Sequence, residues 1–223
     1  MIYKNNFVHA TDINDGWRQS LLCIAENGIP YVIKGGSYIG QIRRQLLHFT
    51  LYIEEPWRKP FNFFTPPGVP APTNPKKINE YFEQYLITQT KTKNEDYNYS
   101  DYIVQQYPHI IRMLNKTQGQ TNQAIITIGE PASITLNSPP CLRNIHFTNV
   151  NNQLVMTVYF RSWDAYAGLP ENLGGLQLFK EFILMNLEFP IKDGPLIAYS
   201  SGIHIYSMYD AIVEQLGASY NKE

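Results

Sequence analysis

The order of hydrophobic and polar positions along the first half of the chain predicts alternating helices and strands. Residues 15–26 carry apolar side chains at helical spacing, which predicts a helix. Short apolar runs at residues 29–33 and 47–54 predict two strands. A second helix is predicted at residues 76–86. The prolines of residues 56–75 exclude a helix before it and favour a long surface loop.

In the second half the apolar runs become longer. Residues 102–114 predict a helix that Pro108 kinks or breaks, because proline cannot donate a helical hydrogen bond. Residues 174–187 are strongly apolar on one face and predict a central core helix. A strand is predicted at residues 196–206, followed by a last helix within residues 208–223.

A hairpin is predicted between the helix at residues 102–114 and the helix at residues 174–187. Two apolar runs, residues 143–150 and 153–160, flank Asn151-Asn152, which is typical of a two-residue β-turn. An antiparallel pair of strands would return Arg161 to the level of Cys141, despite their separation in sequence. A thiol needs an electropositive neighbour to become a nucleophile at neutral pH, so Arg161 is predicted to lower the pKa of this thiol.

Composition narrows the class of protein. The 223 residues suit a single domain, 1–223, with a real core, and the net charge of −1 offers no overall field for nucleic acid. The two cysteines form no disulfide framework and suit a reducing cytoplasm; Cys23 is expected to be a small core residue. Residues 1–10 lack a signal-peptide core, and no stretch is apolar and long enough for a bilayer. The histidines show no ligand spacing, so no metal is expected.

The glycine-rich segment at residues 34–38 supports two interpretations. Its adjacent glycines, together with Lys34 and Ser37, could bring backbone N–H groups close to a phosphate. An ordinary hairpin turn is the interpretation that the chemistry alone favours.

Four segments of the C-terminal half together resemble the thymidylate synthase family, most closely its short archaeal-type branch and the related pyrimidine-nucleotide hydroxymethylases. They are Pro139-Pro140-Cys141-Leu142-Arg143, Tyr159-Phe160-Arg161-Ser162-Trp163-Asp164, Gly168-Leu169-Pro170-Glu171-Asn172 and Gly202-Ile203-His204-Ile205-Tyr206. They occur in the family's order and spacing, and each has a separate function, which makes the combination specific. We expect a mixed α/β (α+β) domain with a predominantly antiparallel sheet covered by helices. The resemblance adds a homodimer whose two sheets pack back to back.

The resemblance implies reductive methylation of dUMP to dTMP, with 5,10-methylenetetrahydrofolate or methylenetetrahydromethanopterin as co-substrate. Cys141 would add to carbon 6 of the pyrimidine, which makes carbon 5 a nucleophile toward the methylene of the pterin. Hydride then gives a methyl group, whereas water gives a hydroxymethyl group. A nucleotide 5-hydroxymethylase on the same scaffold is therefore an alternative, and a non-catalytic nucleotide-binding or RNA-binding relative is another.

Several cations would hold the nucleotide phosphate in such an enzyme. The family's phosphate-binding arginine near the start of the chain corresponds best to Arg43, with Arg44 and Lys34 as the next choices. By the same resemblance, Arg161 and Ser162 would contact the phosphate from the end of the hairpin. Arg161 would then serve both the phosphate and the thiol.

One departure from the family concerns the contact across the dimer. Most members carry an arginine pair, just before a strand, that reaches the partner's phosphate. This chain has Asn122-Gln123 there, before a strand predicted at residues 124–128. Gln123 can still donate a hydrogen bond, but charge-assisted bonds are roughly twice as strong as neutral ones. Either other cations compensate, or the ligand binds more weakly or differs.

The base, the ribose and the pterin have candidate residues too. Asn172 would read uracil because an amide can donate to O4 and accept from N3–H, although an asparagine near a helix start is more often an N-cap. His204 and Tyr206 resemble the family's ribose-binding pair, and on a strand they share one face. Asp164 would hold the N–H groups of the pterin, beside Gly168.

Two further residues are implied only by the resemblance. Tyr99 corresponds to a tyrosine near the proton that leaves the base, and Glu83, preferred over Glu80, to a glutamate that organises water beside the pyrimidine carbonyl. From the residues alone, solvated glutamates are the commoner outcome. Larger family members close the site with a C-terminal segment; this chain stops short, so the loop at residues 56–75 is a candidate for closure.

Overall fold

The computed structural model describes residues 6–35, 38–89 and 97–220, and within them a mixed sheet forms the centre. Its strands are β1 (Phe7–Ala10), β2 (Ile29–Val32), β3 (Ile42–Ile53), β4 (Ile125–Thr127), β5 (Leu142–Val150), β6 (Gln153–Phe160), β7 (Trp163–Asp164) and β8 (Lys192–Tyr206). The spatial order is β1-β3-β8-β6-β5-β4, with β2 paired to β3 and β7 paired to β8. Strands that are distant in sequence therefore meet at the centre, on β8.

The helices pack against this sheet. They are α1 (Ile13–Asn27), α2 (Pro75–Tyr81), α3 (Ser100–Thr117), α4 (Gly168–Met185) and α5 (Asp210–Tyr220), with a π-helical turn, Phe82–Ile87, directly after α2. Short 3₁₀ turns lie at Pro131–Thr135 and Ser207–Tyr209. No helix in the described ranges has the length and the apolar character needed to cross a membrane.

The predicted mixed α/β fold is confirmed. Four strand pairings of the described sheet are antiparallel and three are parallel, so antiparallel pairing prevails by a small margin. The predicted hairpin is confirmed as well, since β5 and β6 pair with Val150 opposite Gln153. Asn151 and Asn152 both have positive φ, 53° and 61°, as the tight turn requires.

Several predicted elements have different limits: β3 begins at Ile42 rather than at residue 47, β8 begins at Lys192 rather than at residue 196, and three helices differ as well. α3 continues through Pro108 without a break, because its buried residues Ile103, Ile110 and Leu114 hold both halves against the core. The helix predicted at residues 76–86 is α-helical only as far as Tyr81. The third difference concerns α4, which starts at Gly168 rather than at residue 174.

The early start of α4 has a local cause. The Oδ1 atom of Asp164 accepts hydrogen bonds from the backbone N–H groups of Tyr166 and Ala167, at 2.9 and 3.3 Å, and so organises the turn before the helix. Asn172 consequently lies inside α4, and its interpretation as an N-cap is wrong.

Two glycines bring α2 close to α4. A Cβ on Gly174 would lie 2.8 Å from an Ile78 methyl carbon, and a Cβ on Gly175 would lie 2.3 Å from a ring carbon of Tyr81. Larger residues would therefore push α2 away. This contact places the Tyr81 ring beside the first turns of α4.

A buried lysine joins α4 to the start of β8. Lys180 is fully buried, and its Nζ donates to the carbonyl of Gly194 at 2.5 Å and lies 2.8 Å from Oδ1 of Asp193. Burial lowers the pKa of Lys180, whereas the carboxylate of Asp193 raises it. The ion pair fixes α4 relative to the central strand that carries His204 and Tyr206.

Candidate functional site

A hollow of about 390 Å³ opens where the β5–β6 hairpin meets β3 and β8, a volume in the range of small-molecule sites. Predicted site residues that line it are Arg43, Cys141, Arg161, Ser162, Asp164, His204 and Tyr206. A smaller hollow of about 190 Å³, between the start of α1 and residues 58–64, contains none of the predicted site residues. The predicted site residues are therefore concentrated in the hollow of about 390 Å³, which we call the central hollow.

Arg161 holds the backbone that carries the thiol. Its backbone N–H donates to the carbonyl of Cys141 at 2.8 Å. Its guanidinium donates to the carbonyls of Pro140 and Pro139, at 3.1 and 2.5 Å. These bonds join the end of β6 to the segment before β5, so Arg161 and Cys141 lie together in the central hollow as the hairpin predicts.

The pKa of the Cys141 thiol reflects two opposing effects. Burial raises it, and the positive charges of Arg161 and Arg43 lower it by a smaller amount. The net pKa therefore lies above the ordinary value, and the expectation of a lowered thiol pKa is wrong for the protein without ligand. The physical reason is that desolvation of a largely enclosed sulfur outweighs two partly solvated guanidinium groups.

Arg43 brings a second cation from the other side of the central hollow. It lies opposite Tyr206 in the β3–β8 register, and its guanidinium is 4.7 Å from the ring centre of Tyr31. Its buried Nε makes no hydrogen bond within the described chain. Burial lowers the pKa of Arg43, and Tyr206 raises it. Arg43 is thus held in place by aromatic rings and keeps donors for a ligand.

The glycine-rich segment forms the connection between β2 and β3. Ile33 donates to the carbonyl of Gln41 and accepts from the N–H of Gly40, both at 2.9 Å, which closes a hairpin. Gly35 lines the central hollow, whereas Gly36 and Ser37 lie outside the described residues. The hairpin interpretation of this segment is confirmed, and its contact with a phosphate stays a prediction.

His204 presents an unpaired acceptor to the central hollow. It is 3% exposed, and its Nδ1 lies 3.2 Å from the carbonyl of Gly202. A carbonyl only accepts, so Nδ1 carries the proton of the neutral ring and Nε2 is the acceptor. Nε2 has no partner in the described chain. Burial, and then the charge of Arg43, lowers the pKa of His204 to about 4, so the ring is neutral at pH 7.

Asp164 lines the central hollow in addition to organising the turn before α4. Burial raises its pKa, while the N–H groups of Ala167 and Tyr166 lower it by hydrogen bonding. Both bonds reach Oδ1, and Oδ2 accepts no hydrogen bond from the residues that the structure describes. The half-buried Ser162 is adjacent and also lines the hollow.

Asn172 adjoins the central hollow but does not line it. A Cβ placed on Gly168 would lie 3.6 Å from Oδ1 of Asn172 and 3.5 Å from the Cβ of Asp164, so both side chains are close to this glycine. The indole N–H of Trp163 donates to this Oδ1 at 3.0 Å. The hydrogen bond from Trp163 therefore fixes the side chain of Asn172 next to Asp164, near the start of α4.

A tyrosine cluster lies behind the thiol. The hydroxyl of Tyr99 accepts from the N–H of Leu142 at 3.3 Å, and burial raises its pKa. Tyr97 also acts on the thiol segment: burial raises its pKa, and a backbone hydrogen bond with Cys141 lowers it. The sequence interpretation assigned no role to Tyr97. Its ring centre lies 5.6 Å from that of Tyr99, two residues further along the chain, and this spacing could have indicated that the two rings act together.

Two predicted site residues lie away from the central hollow. Glu83 is exposed on the π-helical turn, and Gln123 is exposed before β4, at one edge of the sheet. Neither is brought to the hollow within one chain. The described ranges contain no group of three or more His, Cys, Asp or Glu side chains that could hold a metal ion.

Comparison with known families adds one finding. The family model described as thymidylate synthase matches residues 75–222, which is well over half of the 223 residues. The matched range includes Cys141, Arg161, Asn172 and His204, whereas Arg43 precedes it.

Proposed function

Because the chain belongs to the thymidylate synthase family, its function is of the thymidylate synthase type or that of a related nucleotide methylase, and we propose that it converts dUMP to dTMP by reductive methylation. One observation carries the proposal. A thiol, two guanidinium groups and a neutral histidine acceptor surround one hollow of nucleotide-compatible volume. Each of these groups matches a different part of dUMP.

The phosphate of dUMP would bind between Arg43 and Arg161. Both act electrostatically on Cys141, so their charges converge on the same region of the central hollow. Arg161 uses its Nε–H and one Nη2–H for carbonyls, which leaves the Nη1 donors, the second Nη2–H and the Ser162 hydroxyl for the ligand. Charge-assisted hydrogen bonds to phosphate are the strong ones, and Arg43 supplies the donors most directly.

The ribose would bind at His204 and Tyr206. The unpaired Nε2 of His204 is buried, and an unpaired buried acceptor costs free energy until a donor reaches it. A sugar hydroxyl is such a donor. Tyr206 meets His204 edge to face, 5.0 Å between ring centres, and lines the same side of the hollow. The pair therefore suits a hydroxyl-bearing ring between the phosphate and the base.

The base would lie over Cys141. The thiol proton passes to solvent, the resulting thiolate sulfur forms a bond to carbon 6, and the electrons of the carbon 5–carbon 6 double bond move toward O4. Since the thiol pKa is raised in the free protein, only a minor thiolate fraction is present at neutral pH, and the two arginines keep that fraction from being smaller. Asn172 would donate to O4, where the charge develops.

The co-substrate would be a reduced pterin, 5,10-methylenetetrahydrofolate or methylenetetrahydromethanopterin. Such a pterin supplies the one-carbon unit and, for a methyl product, the hydride. Asp164 fits this group because its Oδ2 is free of hydrogen bonds from the described residues and borders the central hollow. A carboxylate oxygen accepts from amino and ring N–H groups. Gly168 stands next to it without a side chain in the way.

Tyr99 and Glu83 would assist the later steps. The raised pKa of Tyr99 keeps its hydroxyl neutral, so it would orient the proton leaving carbon 5 by hydrogen bonding rather than as a charged base. Glu83 would organise water near the base, which requires this exposed side chain to turn inward when ligand binds.

A second copy of the chain would complete the assembly. Strand residues with apolar side chains remain exposed in the single chain; they include Phe7, Ile42, Leu47, Ile125 and Tyr199. A homodimer would bury such residues. Gln123, beside β4, would then donate to the phosphate bound by the partner.

Product analysis tests the proposal. The protein is incubated with dUMP and an isotopically labelled co-substrate, and the nucleotides are resolved by mass. The proposal expects dTMP, and expects none from the Cys141→Ala variant. A product one oxygen heavier than dTMP would identify a hydroxymethylase and overturn reductive methylation. Unchanged dUMP with both co-substrates would overturn catalysis altogether.

A further inference from the structure

We propose that Trp163 is a positioning residue that fixes the orientation of the Asn172 amide, and that it thereby selects uracil over cytosine. This inference rests on the proposed function, in which Asn172 reads the base. It concerns a residue beyond those assigned to dUMP, the thiol or the pterin, and it makes Trp163 a determinant of substrate class.

The first observation is a directional hydrogen bond. The indole N–H of Trp163 donates to Oδ1 of Asn172 at 3.0 Å. An indole N–H can only donate, so the group facing it must be an acceptor. Rotating the amide by half a turn would place its NH₂ against the indole N–H. Two donors would then face each other without partners, which is costly in a buried site.

The second observation is that Trp163 cannot move aside. It is 2% exposed and stacks on Phe160, with ring centres 4.3 Å apart and planes 4° from parallel. Its backbone pairs with Ile203 in the β7–β8 ladder. The position of the donor is therefore set by the sheet rather than by the helix that carries Asn172.

The third observation is a buried hydroxyl on another side of the amide. Tyr81 is 6% exposed, and its hydroxyl makes no well-aligned hydrogen bond within the described chain. Burial and the charge of Glu171 raise its pKa, and hydrogen bonding with Asn172 lowers it, so the two side chains are adjacent. A tyrosine oxygen can accept from the Asn172 NH₂, which agrees with the orientation that Trp163 requires.

These contacts determine which hydrogen-bonding groups of the Asn172 amide remain for the ligand. An amide offers two acceptor lone pairs and two N–H donors. Trp163 uses one lone pair, and Tyr81 is placed to use one N–H. One donor and one acceptor remain, in fixed positions. Uracil presents the acceptor O4 beside the donor N3–H, whereas cytosine presents a donor amino group beside the acceptor N3. Reading cytosine would need the rotated amide, which Trp163 opposes.

The test compares two substrates rather than one rate. For wild type and Trp163→Phe, kcat/KM is measured with dUMP and with dCMP. We expect the ratio of dUMP to dCMP to fall about tenfold in Trp163→Phe, the equivalent of roughly 1.4 kcal/mol, because the rotated amide is no longer penalised. The matched control is Phe160→Leu, which removes the stacked ring but keeps the indole N–H. Since the β7–β8 pairing still holds the indole N–H near Asn172, the ratio should fall less than in Trp163→Phe, and an equal fall in both variants would contradict the role of the N–H.

A second variant covers the case in which Trp163→Phe does not fold. Site-specific incorporation of benzothienylalanine at position 163 keeps the shape of the indole and removes only the N–H donor. The same fall in the ratio is expected. An unchanged ratio in this variant, with dUMP still turned over, would overturn the inference.

A double-mutant cycle separates orientation from general damage. In the Asn172→Asp background the side chain ends in two equivalent oxygens, so half a turn changes nothing. Adding Trp163→Phe should then leave the dUMP to dCMP ratio within about twofold. A tenfold change in this background as well would contradict an orienting role. If wild type neither binds dUMP by calorimetry nor converts it, the proposed function fails instead, which is a distinct result.

Discussion

Arg161 affects Cys141 in two ways: its positive charge lowers the pKa of the thiol, and its forked guanidinium holds the backbone before Cys141 by hydrogen bonds. Two substitutions separate these contributions. Arg161→Gln removes the positive charge that lowers the pKa of the thiol. Arg161→Lys keeps the charge but cannot reproduce the forked pair of bonds to the carbonyls of Pro139 and Pro140. Loss of the charge should change the pH dependence of the reactivity of the thiol. Loss of the two guanidinium hydrogen bonds should change kcat/KM.

The sizes follow from the contacts. A hydrogen bond from a charged group contributes about 1.5–3 kcal/mol, and lysine can restore at most one of the two. Arg161→Lys should therefore lower kcat/KM by roughly 10-fold to 150-fold, with the pH profile of the thiol unchanged. In Arg161→Gln the thiol pKa should rise above its already raised value, so that less thiolate is present at neutral pH.

Alkylation measures the thiol directly. The rate of Cys141 labelling by iodoacetamide is followed against pH by mass spectrometry in a Cys23→Ser background, since Cys23 is the other thiol. The inflection should move to higher pH in Arg161→Gln. Arg143→Gln is the matched control: it removes a nearby arginine that does not line the central hollow, and the inflection should stay in place. An unmoved inflection in Arg161→Gln, or equal shifts in both glutamine variants, would refute the electrostatic reasoning.

Three further predictions concern stability and proton transfer. Asp193→Ala should lower the free energy of unfolding by about 3–5 kcal/mol, because it leaves the buried Lys180 charge unpaired, and adding Lys180→Met should recover most of this loss in urea titrations. The pKa of His204 falls from 6.5 in the unfolded state to about 4 in the folded state, so the unfolded state binds more protons as pH drops. This group alone should make the stability at pH 5 about 2 kcal/mol lower than at pH 7.5, and His204→Phe should remove this part of the pH dependence. Tyr99→Phe should lower kcat by at least tenfold with little change in the KM for dUMP, whereas a rise in KM alone would indicate a binding role.

Part of the fold could be predicted because local chemistry determines it. Asn151-Asn152 tolerate positive φ, so the β5–β6 turn and the return of Arg161 to Cys141 followed from the sequence. The alternation of His204 and Tyr206 on one strand gave their shared face in the same way.

Other features depend on contacts that a sequence pattern does not reveal. The apolar pattern predicted that the helix starts at residue 174, whereas α4 starts at Gly168, so that Gly174 and Gly175 lie within it and admit α2 against its first turns. The full burial of Lys180 contradicts the usual preference of lysine for solvent and requires Asp193, which only the β8 geometry brings near. The bond from Trp163 to Asn172 likewise needs side-chain geometry.

The electrostatics of the thiol also depended on the structure. From sequence, a neighbouring Arg161 predicted a lowered thiol pKa, but burial could not be weighed against it. The structure shows that burial is the larger effect and that Arg43, from the first half of the chain, shares the opposing role. The chemistry of Cys141 is therefore a balance between enclosure and two cations.

Covalent trapping tests the central claim most directly, namely that the Cys141 sulfur adds to a bound pyrimidine. The protein is incubated with 5-fluoro-dUMP and the reduced-pterin co-substrate, and its intact mass is measured. The account predicts a mass increase equal to the nucleotide plus the co-substrate. The adduct should be found on the peptide that contains Cys141, and no adduct should form in Cys141→Ala. No adduct in the wild-type protein, or an equal adduct in Cys141→Ala, would contradict the account.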